Sequence, residues 1–138
     1  MVEVFAQGLS QPVRENMRPR HRLVTASPLD FVSTLMFRML KANVGAAIVV
    51  EKNRPVGILT EKDVLGRVVM REQNIYTTTA GEVMTKPLIS IESDRPIKEA
   101  LELMRKHNVR RLPVTEDGIL VGLITERRLL AAIARWAY

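Results

Sequence analysis

Apolar residues recur at helical spacing in two segments of the chain, 65 positions apart. Each segment carries apolar residues at positions i, i+3, i+4 and i+7, which lie on one face of an α-helix. These residues are Val32, Leu35, Met36 and Met39 in the first segment, and Ile97, Ala100, Leu101 and Met104 in the second. The pattern predicts two equivalent amphipathic helices.

Short apolar runs around each predicted helix indicate β-strands. One run precedes the helix and two follow it, separated by a polar turn such as Asp117-Gly118, because glycine tolerates the positive φ of a tight hairpin. The runs are residues 24–26, 46–50 and 56–59, and residues 89–91, 111–115 and 119–124. A further helix is predicted to begin at Thr60 and at Thr125. Each segment is therefore predicted to fold as β-α-β-β-α.

The two segments form an internal sequence repeat. Residues 24–65 align with residues 89–130 without a gap, and Gly57 and Thr60 are among the identical positions. The period exceeds the roughly 20–50 residues typical of solenoid repeats, so each copy is a multi-element unit and the two copies are expected to share a core. Because hairpins and helices alternate, we predict an α+β fold.

The repeat also suggests a domain organisation. We predict a basic N-terminal arm outside the core at residues 1–23, a first repeat at 24–70, a linker at 71–83, and a second repeat with a C-terminal helix at 84–138. The arm matches neither copy and is rich in arginine. The linker has the polar composition of a surface crossover.

Composition narrows the classes of function. With 46% apolar residues, a chain of 138 residues can bury a core, and it has no run of about 18 apolar residues that would predict a membrane span. We therefore expect a cytoplasmic protein without membrane contacts. Its lack of cysteine and its two histidines disfavour common metal sites. The net charge of +6 favours anionic partners, with an arginine-rich coding bias as the alternative explanation.

No sequence motif points to catalysis. The chain has no Gly-x-Ser-x-Gly elbow, no Gly-x-x-x-x-Gly-Lys phosphate loop and no His-x-x-x-His pair. We predict that it is not an enzyme, that it has no catalytic residue, and that it uses neither a metal nor a cofactor.

The main candidate site is the motif Gly57-x-x-Thr60-x-x-Asp63, where a predicted strand meets a helix. A helix N-terminus offers free backbone N–H groups to an anion. Thr60 adds a hydroxyl, and Asp63 can accept hydrogen bonds from two adjacent hydroxyls, as a ribose presents them. The alternative is a structural capping box formed by the same two residues. The second copy keeps Thr125 but has Arg128 in place of the acid.

The duplicated motif, with Val-Met-Thr-Lys-Pro at 83–87 and Arg-Leu-Pro-Val at 111–114, resembles a tandem pair of CBS domains, the cystathionine β-synthase type of regulatory module. The resemblance implies pseudo-twofold packing of the repeats around two clefts that bind adenine nucleotides. It implies phosphate and ribose contacts for Thr60 and Asp63 in one cleft, and it places Thr125 and Arg128 in the other. Because arginine has no acceptor, we expect unequal clefts, with Arg128 contacting phosphate or filling its cleft.

Further basic residues are candidates for phosphate contacts. The resemblance suggests Arg110 and Arg111, whose counterparts in the first copy are small. A solvated basic turn is the alternative for this pair. Lys86 is a further phosphate candidate.

The resemblance implies a stand-alone sensor that binds AMP, ADP or ATP as a ligand and signals to an unknown regulated protein. It also implies a homodimer, for which we predict a seam along Val64 and Val68 and along Leu129 and Ile133. One alternative is a nucleic-acid-associated protein that uses the basic arm. Another is a sensor of an adenosyl ligand such as S-adenosylmethionine.

Overall fold

The computed structural model describes residues 2–86 and 88–137 of the chain. They form two compact units. The first-repeat unit runs from Leu23 to Leu88, and the second-repeat unit combines the segment that ends at Arg22 with the segment from Ile89 onward. The N-terminal segment therefore folds with the second repeat, although it precedes the first repeat in the sequence.

Both repeats follow the predicted β-α-β-β-α order. In chain order the elements are α1 (Val2–Leu9), β1 (Arg18–Pro19), β2 (Val24–Ala26), α2 (Val32–Ala42), β3 (Ala46–Glu51), β4 (Arg54–Thr60), α3 (Glu61–Asp63), α4 (Ala80–Val83), β5 (Ile91–Glu92), α5 (Ile97–His107), β6 (Arg111–Glu116), β7 (Ile119–Thr125) and α6 (Glu126–Ala137). Helix α3 continues directly into a π-helical segment, Val64–Val69. Short 3-10 turns, Val13–Glu15 and Arg20–Arg22, flank β1.

Each unit is built on one sheet. The strand order is β2-β3-β4 in the first-repeat unit and β1-β7-β6-β5 in the second-repeat unit. In both sheets the strand before the helix is parallel to its neighbour, and the two hairpin strands are antiparallel. The hairpin registers agree, because Ala46 lies opposite Thr60 and Arg111 lies opposite Thr125. The predicted α+β fold is confirmed.

An asparagine ends the first long helix of each repeat. The φ angle is 54° at Asn43 and 51° at Asn108, in the left-handed region that asparagine adopts more readily than most side chains. In each case the N–H of the next residue donates to a carbonyl of the last helical turn at 3.0 Å. Asparagine therefore occurs at both positions because each helix ends on a residue in the left-handed conformation.

Apolar side chains form a core within each unit. The predicted apolar helix faces point into these cores, because Leu35 and Ile97 are both fully buried. They pack with buried strand residues, among them Val49 and Leu59 in the first-repeat unit and Leu112 and Ile124 in the second-repeat unit. Helical periodicity thus identified the buried face of α2 and α5 correctly.

The prediction of the dimer seam is wrong, because its residues are buried or half-buried. Val64 and Val68 are 5% and 0% exposed and belong to the first core, Leu129 is 1% exposed and belongs to the second, and Ile133 is half-buried. The exposed apolar residues of these helices lie one position further along the chain, at Leu65, Val69 and Leu130. Successive helix positions point in different directions, so a shift of one residue exchanges core for surface.

The prediction of an N-terminal arm outside the core is also wrong. Val13 is 0% exposed and packs in the core of the second-repeat unit. Its N–H donates to the carbonyl of Arg95 at 2.9 Å, and the N–H of Arg14 donates to the carbonyl of Ser93 at 3.0 Å. The sequence does not indicate this packing, because polar residues outnumber apolar ones in the segment and it matches neither repeat.

Each unit contains the segment that precedes the other repeat. We call residues 15–19 (Glu-Asn-Met-Arg-Pro) and 82–86 (Glu-Val-Met-Thr-Lys) the lead-in segments. Arg18 lies opposite Leu123 of β7, and Thr85 forms an antiparallel bridge with Ile58 of β4. Ile58 and Leu123 are equivalent positions of the repeat. Arg18 and Thr85 are therefore equivalent in structure.

The segment predicted to be a linker contributes to the first core. Ala80 and Val83 are 0% and 7% exposed and pack in the core of the first-repeat unit. Thr78 is buried, and its hydroxyl donates to the carbonyl of Asn74 at 2.7 Å. The sequence boundaries at 70 and 83 follow the repeat, whereas the packing extends the first unit to Leu88.

Glycine is required where each lead-in segment crosses its strand. A Cβ at Gly57 would lie 2.3 Å from Sδ of Met84, and a Cβ at Gly122 would lie 2.5 Å from Sδ of Met17 and 2.7 Å from the carbonyl oxygen of Arg18. These distances are shorter than van der Waals contact. The glycines of the repeated motif thus make room for the chain itself.

We expect Gly122→Ala to destabilise the protein by about 1–3 kcal/mol, because the clash includes a paired backbone carbonyl that cannot rotate away. Gly57→Ala should destabilise the protein less, because its Cβ would clash only with the flexible side chain of Met84. Denaturant unfolding of both variants measures the difference. In double-mutant cycles, Met84→Ala should relieve most of the Gly57→Ala penalty, whereas Met17→Ala should leave most of the Gly122→Ala penalty. Equal penalties with equal relief would contradict this account.

Candidate functional site

Thr60 and Asp63 form a capping box at the start of α3. Thr60 is the last residue of β4 and the N-cap of the helix. Its hydroxyl oxygen accepts a hydrogen bond from the N–H of Asp63 at 3.2 Å. In return Oδ2 of Asp63 accepts from the N–H of Thr60 at 2.9 Å and from its hydroxyl at 3.0 Å. The structural alternative considered for this motif is therefore present in the fold.

Thr85 of the lead-in segment completes the cluster. Its hydroxyl donates to Oδ1 of Asp63 at 2.9 Å. Nε of Arg67 lies 3.8 Å from the same oxygen, and its guanidinium donates to the carbonyls of Val83 and Met84 at 3.1 Å each. Arg67 thus ties the helix to the lead-in segment and offsets the charge of the buried carboxylate.

The carboxylate of Asp63 keeps some capacity to accept hydrogen bonds. Its side chain is 9% exposed and receives three hydrogen bonds, from Thr60 N–H, Thr60 hydroxyl and Thr85 hydroxyl. A carboxylate has about four acceptor positions. Because two of its present donors are hydroxyls that can rotate, a ligand hydroxyl can replace them without leaving a backbone N–H unpaired. Capping and ligand binding are compatible roles for this residue.

The second repeat has the same backbone with different side chains. The N–H of Arg128 donates to the hydroxyl oxygen of Thr125 at 3.1 Å, which reproduces half of the capping box. Arg128 cannot return a hydrogen bond to the N-cap N–H, because a guanidinium has no acceptor. The position equivalent to Thr85 is Arg18. Two arginines therefore occupy the places of an acid and a hydroxyl.

Arg128 lies among other arginines. Its pKa is lowered, first by partial burial and then by the positive charges of Arg18, Arg22 and Arg135. Nε of Arg18 is buried without a hydrogen-bond partner. Both observations mean that the folded second-repeat unit places positive charge where it is not fully compensated.

The other residues predicted to contact phosphate lie at different distances from the motif threonines. Arg111 lies opposite Thr125 in the β6–β7 pair and is half-buried. Arg110 is largely exposed, with Nε at 3.9 Å from Oε2 of Glu126. Lys86 is exposed and follows Thr85 in the first-repeat unit. Only Arg111 is therefore placed directly beside a motif threonine.

Thr85, Arg67 and Arg18 were missed as members of these clusters. A signal for two of them was present, because Glu-x-Met occurs in both lead-in segments, at Glu15 and at Glu82. The spacing there is 67 residues rather than 65, so a gap-free alignment of the repeat does not detect it. Arg67 has no sequence signal, since alanine occupies the equivalent position in the second repeat.

The described residues contain neither a metal-binding cluster nor a membrane-spanning helix. The part of the chain that the structure describes contains no group of three or more histidine, cysteine, aspartate or glutamate side chains placed to hold a metal ion. Within the same residues, no helix is both long enough and apolar enough to span a bilayer.

We expect Arg128→Gln to raise the melting temperature. Folding lowers the pKa of Arg128, so its charged form is less favourable in the folded than in the unfolded state at neutral pH, and a neutral side chain removes that penalty. Added salt should stabilise the wild-type protein more than the variant, because salt screens repulsion between partly exposed charges. Thermal unfolding at low and high salt measures both effects.

Arg127→Gln is the matched control, because Arg127 is exposed, adjacent and on the same helix. It should change neither the melting temperature nor its salt dependence to the same extent. A lower melting temperature for Arg128→Gln than for Arg127→Gln would show that Arg128 stabilises the unit instead.

The chain is similar to proteins with paired CBS domains. The profile of the CBS domain matches residues 13–70 and 80–135. An uncharacterized protein of Methanopyrus kandleri is 34% identical over 113 residues, which cover 80% of this chain and 58% of that protein. The CBS domain-containing protein YhcV of Bacillus subtilis is 32% identical, with 75% and 73% covered. The chain thus spans little more than half of the Methanopyrus relative.

A solved structure supports the same assignment. The CBS domain protein from Pyrobaculum aerophilum complexed with AMP superposes with a TM-score of 0.77 at 27% identity, covering 91% of this chain and 98% of that one. Both profile matches begin at or before a lead-in segment, in agreement with the repeated Glu-x-Met. The chain therefore belongs to the CBS-domain family, as a regulatory module with two CBS domains in tandem.

Proposed function

We propose that this module senses adenine nucleotides (AMP, ADP or ATP) through the cluster of Thr60, Asp63 and Thr85. The observation that carries the proposal is a buried carboxylate whose hydrogen bonds come partly from two hydroxyls that can rotate. The Pyrobaculum relative, which is complexed with AMP, supports an adenine nucleotide as the ligand class. The ligand is the signal and is not consumed.

Each residue of the cluster has a chemical role in this proposal. Asp63 accepts hydrogen bonds from the ribose hydroxyls, while Thr60 and Thr85 turn their hydroxyls toward the ligand. We retain Lys86 as a proposed phosphate contact in the first-repeat unit. Separate phosphate contacts are proposed in the second-repeat unit, at Arg110, Arg111, Thr125 and Arg128.

Regulation requires that the nucleotide prefer one state of the module over another, because a ligand shifts an equilibrium only by its difference in affinity. Such a difference in affinity would arise if ligand hydroxyls replaced the threonine hydroxyls that donate to Asp63. Asp63 caps the helix, and Arg67 links that helix to the lead-in segment, so occupancy can alter how firmly these elements are joined. The receiver is proposed to be a separate regulated protein. A cytoplasmic location stays a prediction.

We expect Asp63→Asn to weaken nucleotide binding at least about tenfold, since a hydrogen bond to a charged group contributes roughly 1.5–3 kcal/mol. The amide oxygen can still cap Thr60 N–H, so the variant should fold. Thermal shift and calorimetry with AMP, ADP, ATP, GTP and S-adenosylmethionine provide the measurement. Ligand at about 100 times its dissociation constant should stabilise the wild-type protein by roughly 2.7 kcal/mol.

Glu61→Gln is the control for Asp63→Asn, because it removes an exposed carboxylate from the same helical turn. It should bind nucleotides as the wild-type protein does. No shift with any adenine nucleotide would contradict the proposed ligand class, and a shift with S-adenosylmethionine alone would favour the alternative adenosyl ligand. Unchanged nucleotide affinity in Asp63→Asn would contradict the ribose contact.

A homodimer through the first-repeat unit is part of the proposal. This unit exposes five apolar side chains on or beside its helices, each at least 48% exposed: Phe37, Leu40, Leu65, Val69 and Met70. A groove of about 310 Å³, lined by Met36, Leu40, Val44 and Leu65 among others, runs beside them. Three equivalent positions of the second repeat are charged: Glu102, Arg105 and Arg135. A twofold dimer needs the same patch on both subunits, and this apolar patch can pair with itself.

We expect Leu40→Glu to convert the dimer to a monomer, because the patch would then place like charges against each other across the twofold axis. Leu130→Glu is the matched control, since Leu130 is similarly exposed but lies in the second-repeat unit. Light scattering coupled to gel filtration gives the molar mass of each. A monomeric wild-type protein, or dissociation by Leu130→Glu alone, would contradict this interface.

A further inference from the structure

The first-repeat unit shows that three positions of the fold converge. Thr60 ends the last strand, Asp63 lies one helical turn later, and Thr85 comes from the lead-in segment. The hydroxyls of Thr60 and Thr85 both donate to the carboxylate of Asp63, at 3.0 and 2.9 Å. Side chains at these three positions therefore lie within direct contact distance on this backbone.

The second-repeat unit has the same backbone at the equivalent positions, Arg18, Thr125 and Arg128. Arg18 lies opposite Leu123 in the β1–β7 pair, and Thr125 follows two residues later in β7. Residues that lie opposite in an antiparallel pair, and residues two apart in a strand, share one face of the sheet. Arg18 and Thr125 are thus on the same face, beside the helix that carries Arg128.

The charge at these positions is unbalanced in the second-repeat unit. Arg22 and Arg135 act on Arg128 together with Arg18. The acid next to Thr125 in the sequence is Glu126, whose Oε2 lies 3.9 Å from Nε of Arg110. In the first-repeat unit Nε of Arg67 lies 3.8 Å from Oδ1 of Asp63. The equivalent position in the second repeat is Ala132, so the cluster there has lost its acid and gained arginines.

We propose that Arg18, Thr125 and Arg128 form a site for a multiply charged phosphate ligand that is held by its phosphate groups alone. Guanidinium groups bind phosphate through paired N–H donors, and the Thr125 hydroxyl adds a donor of its own. A bound phosphate supplies acceptors to the guanidinium of Arg18, whose buried Nε has no hydrogen-bond partner in the protein. Repulsion among the arginines decreases at the same time.

The site discriminates against the nucleoside part of a ligand. Neither Arg18 nor Arg128 can accept a hydrogen bond from a ribose hydroxyl, whereas Asp63 can at the equivalent position of the first repeat. Inorganic diphosphate, inorganic triphosphate and the phosphate chain of a nucleotide share the chemistry that this site recognises. The inference does not rest on nucleotide binding at Asp63, since the two clusters lie in different units.

Calorimetric titration of the full chain with inorganic triphosphate and diphosphate at low salt tests the proposal. We expect saturable binding of triphosphate that weakens at least about tenfold in Arg18→Gln and in Arg128→Gln, because each removes a charge-assisted contact. Arg127→Gln should bind as the wild-type protein does. Asp63→Asn should also keep triphosphate binding, which separates this site from the one proposed for nucleotides.

Further titrations distinguish the sources of the phosphate. Adenosine should not compete with triphosphate, and ATP should compete through its phosphate chain. No saturable triphosphate binding, or equal weakening in Arg127→Gln and Arg128→Gln, would overturn the proposal. It would also be overturned if ATP bound at this cluster while triphosphate did not. A last competitor is single-stranded RNA. If longer RNA displaced triphosphate more strongly than shorter RNA, the arginines would bind a nucleic-acid polymer, and the proposal would be overturned.

Discussion

The pairing of a lead-in segment with the last strand of a repeat is the contact on which the rest of each unit depends. Ile58 and Thr85 exchange backbone hydrogen bonds of 3.2 and 2.8 Å, and Arg18 lies opposite Leu123 in the antiparallel β1–β7 pair. Close approach requires glycine at the neighbouring strand position. The pairing fixes the register, and the register decides which lead-in residue reaches the helix N-terminus. Whatever chemistry occurs there therefore includes a residue remote in sequence.

One backbone arrangement carries two different electrostatic environments. In the first repeat a carboxylate receives hydrogen bonds from hydroxyls and lies near Arg67. In the second repeat Arg18 and Arg128 occupy the positions of Thr85 and Asp63, and burial together with the charges of neighbouring arginines lowers the pKa of Arg128. Folded proteins retain such unfavourable arrangements mainly where a ligand or a partner compensates them. The asymmetry thus indicates different tasks for the two repeats.

Asp63 has a structural role in the fold, and the proposed function assigns a ligand-binding role to the same atoms. Its carboxylate caps the helix and holds the lead-in segment through Thr85. A ligand that takes over hydrogen bonds from the hydroxyls would change both connections at once. The helix continues as a π-helical segment directly after this residue, and such segments often occur at functional sites. Under the proposed function, ligand binding is therefore coupled to the local structure of this part of the fold.

The sequence by itself determined the repeat, the β-α-β-β-α order, the buried faces of α2 and α5, and Thr60 as an N-cap. These features depend on local spacing, which is visible in one stretch of chain. Only the tertiary structure showed that Val13 is buried, that Val64 and Val68 are core, and that Thr85 and Arg18 join the two motifs. Those facts depend on strand pairing between segments far apart in sequence, and pairing of that kind leaves no periodic pattern.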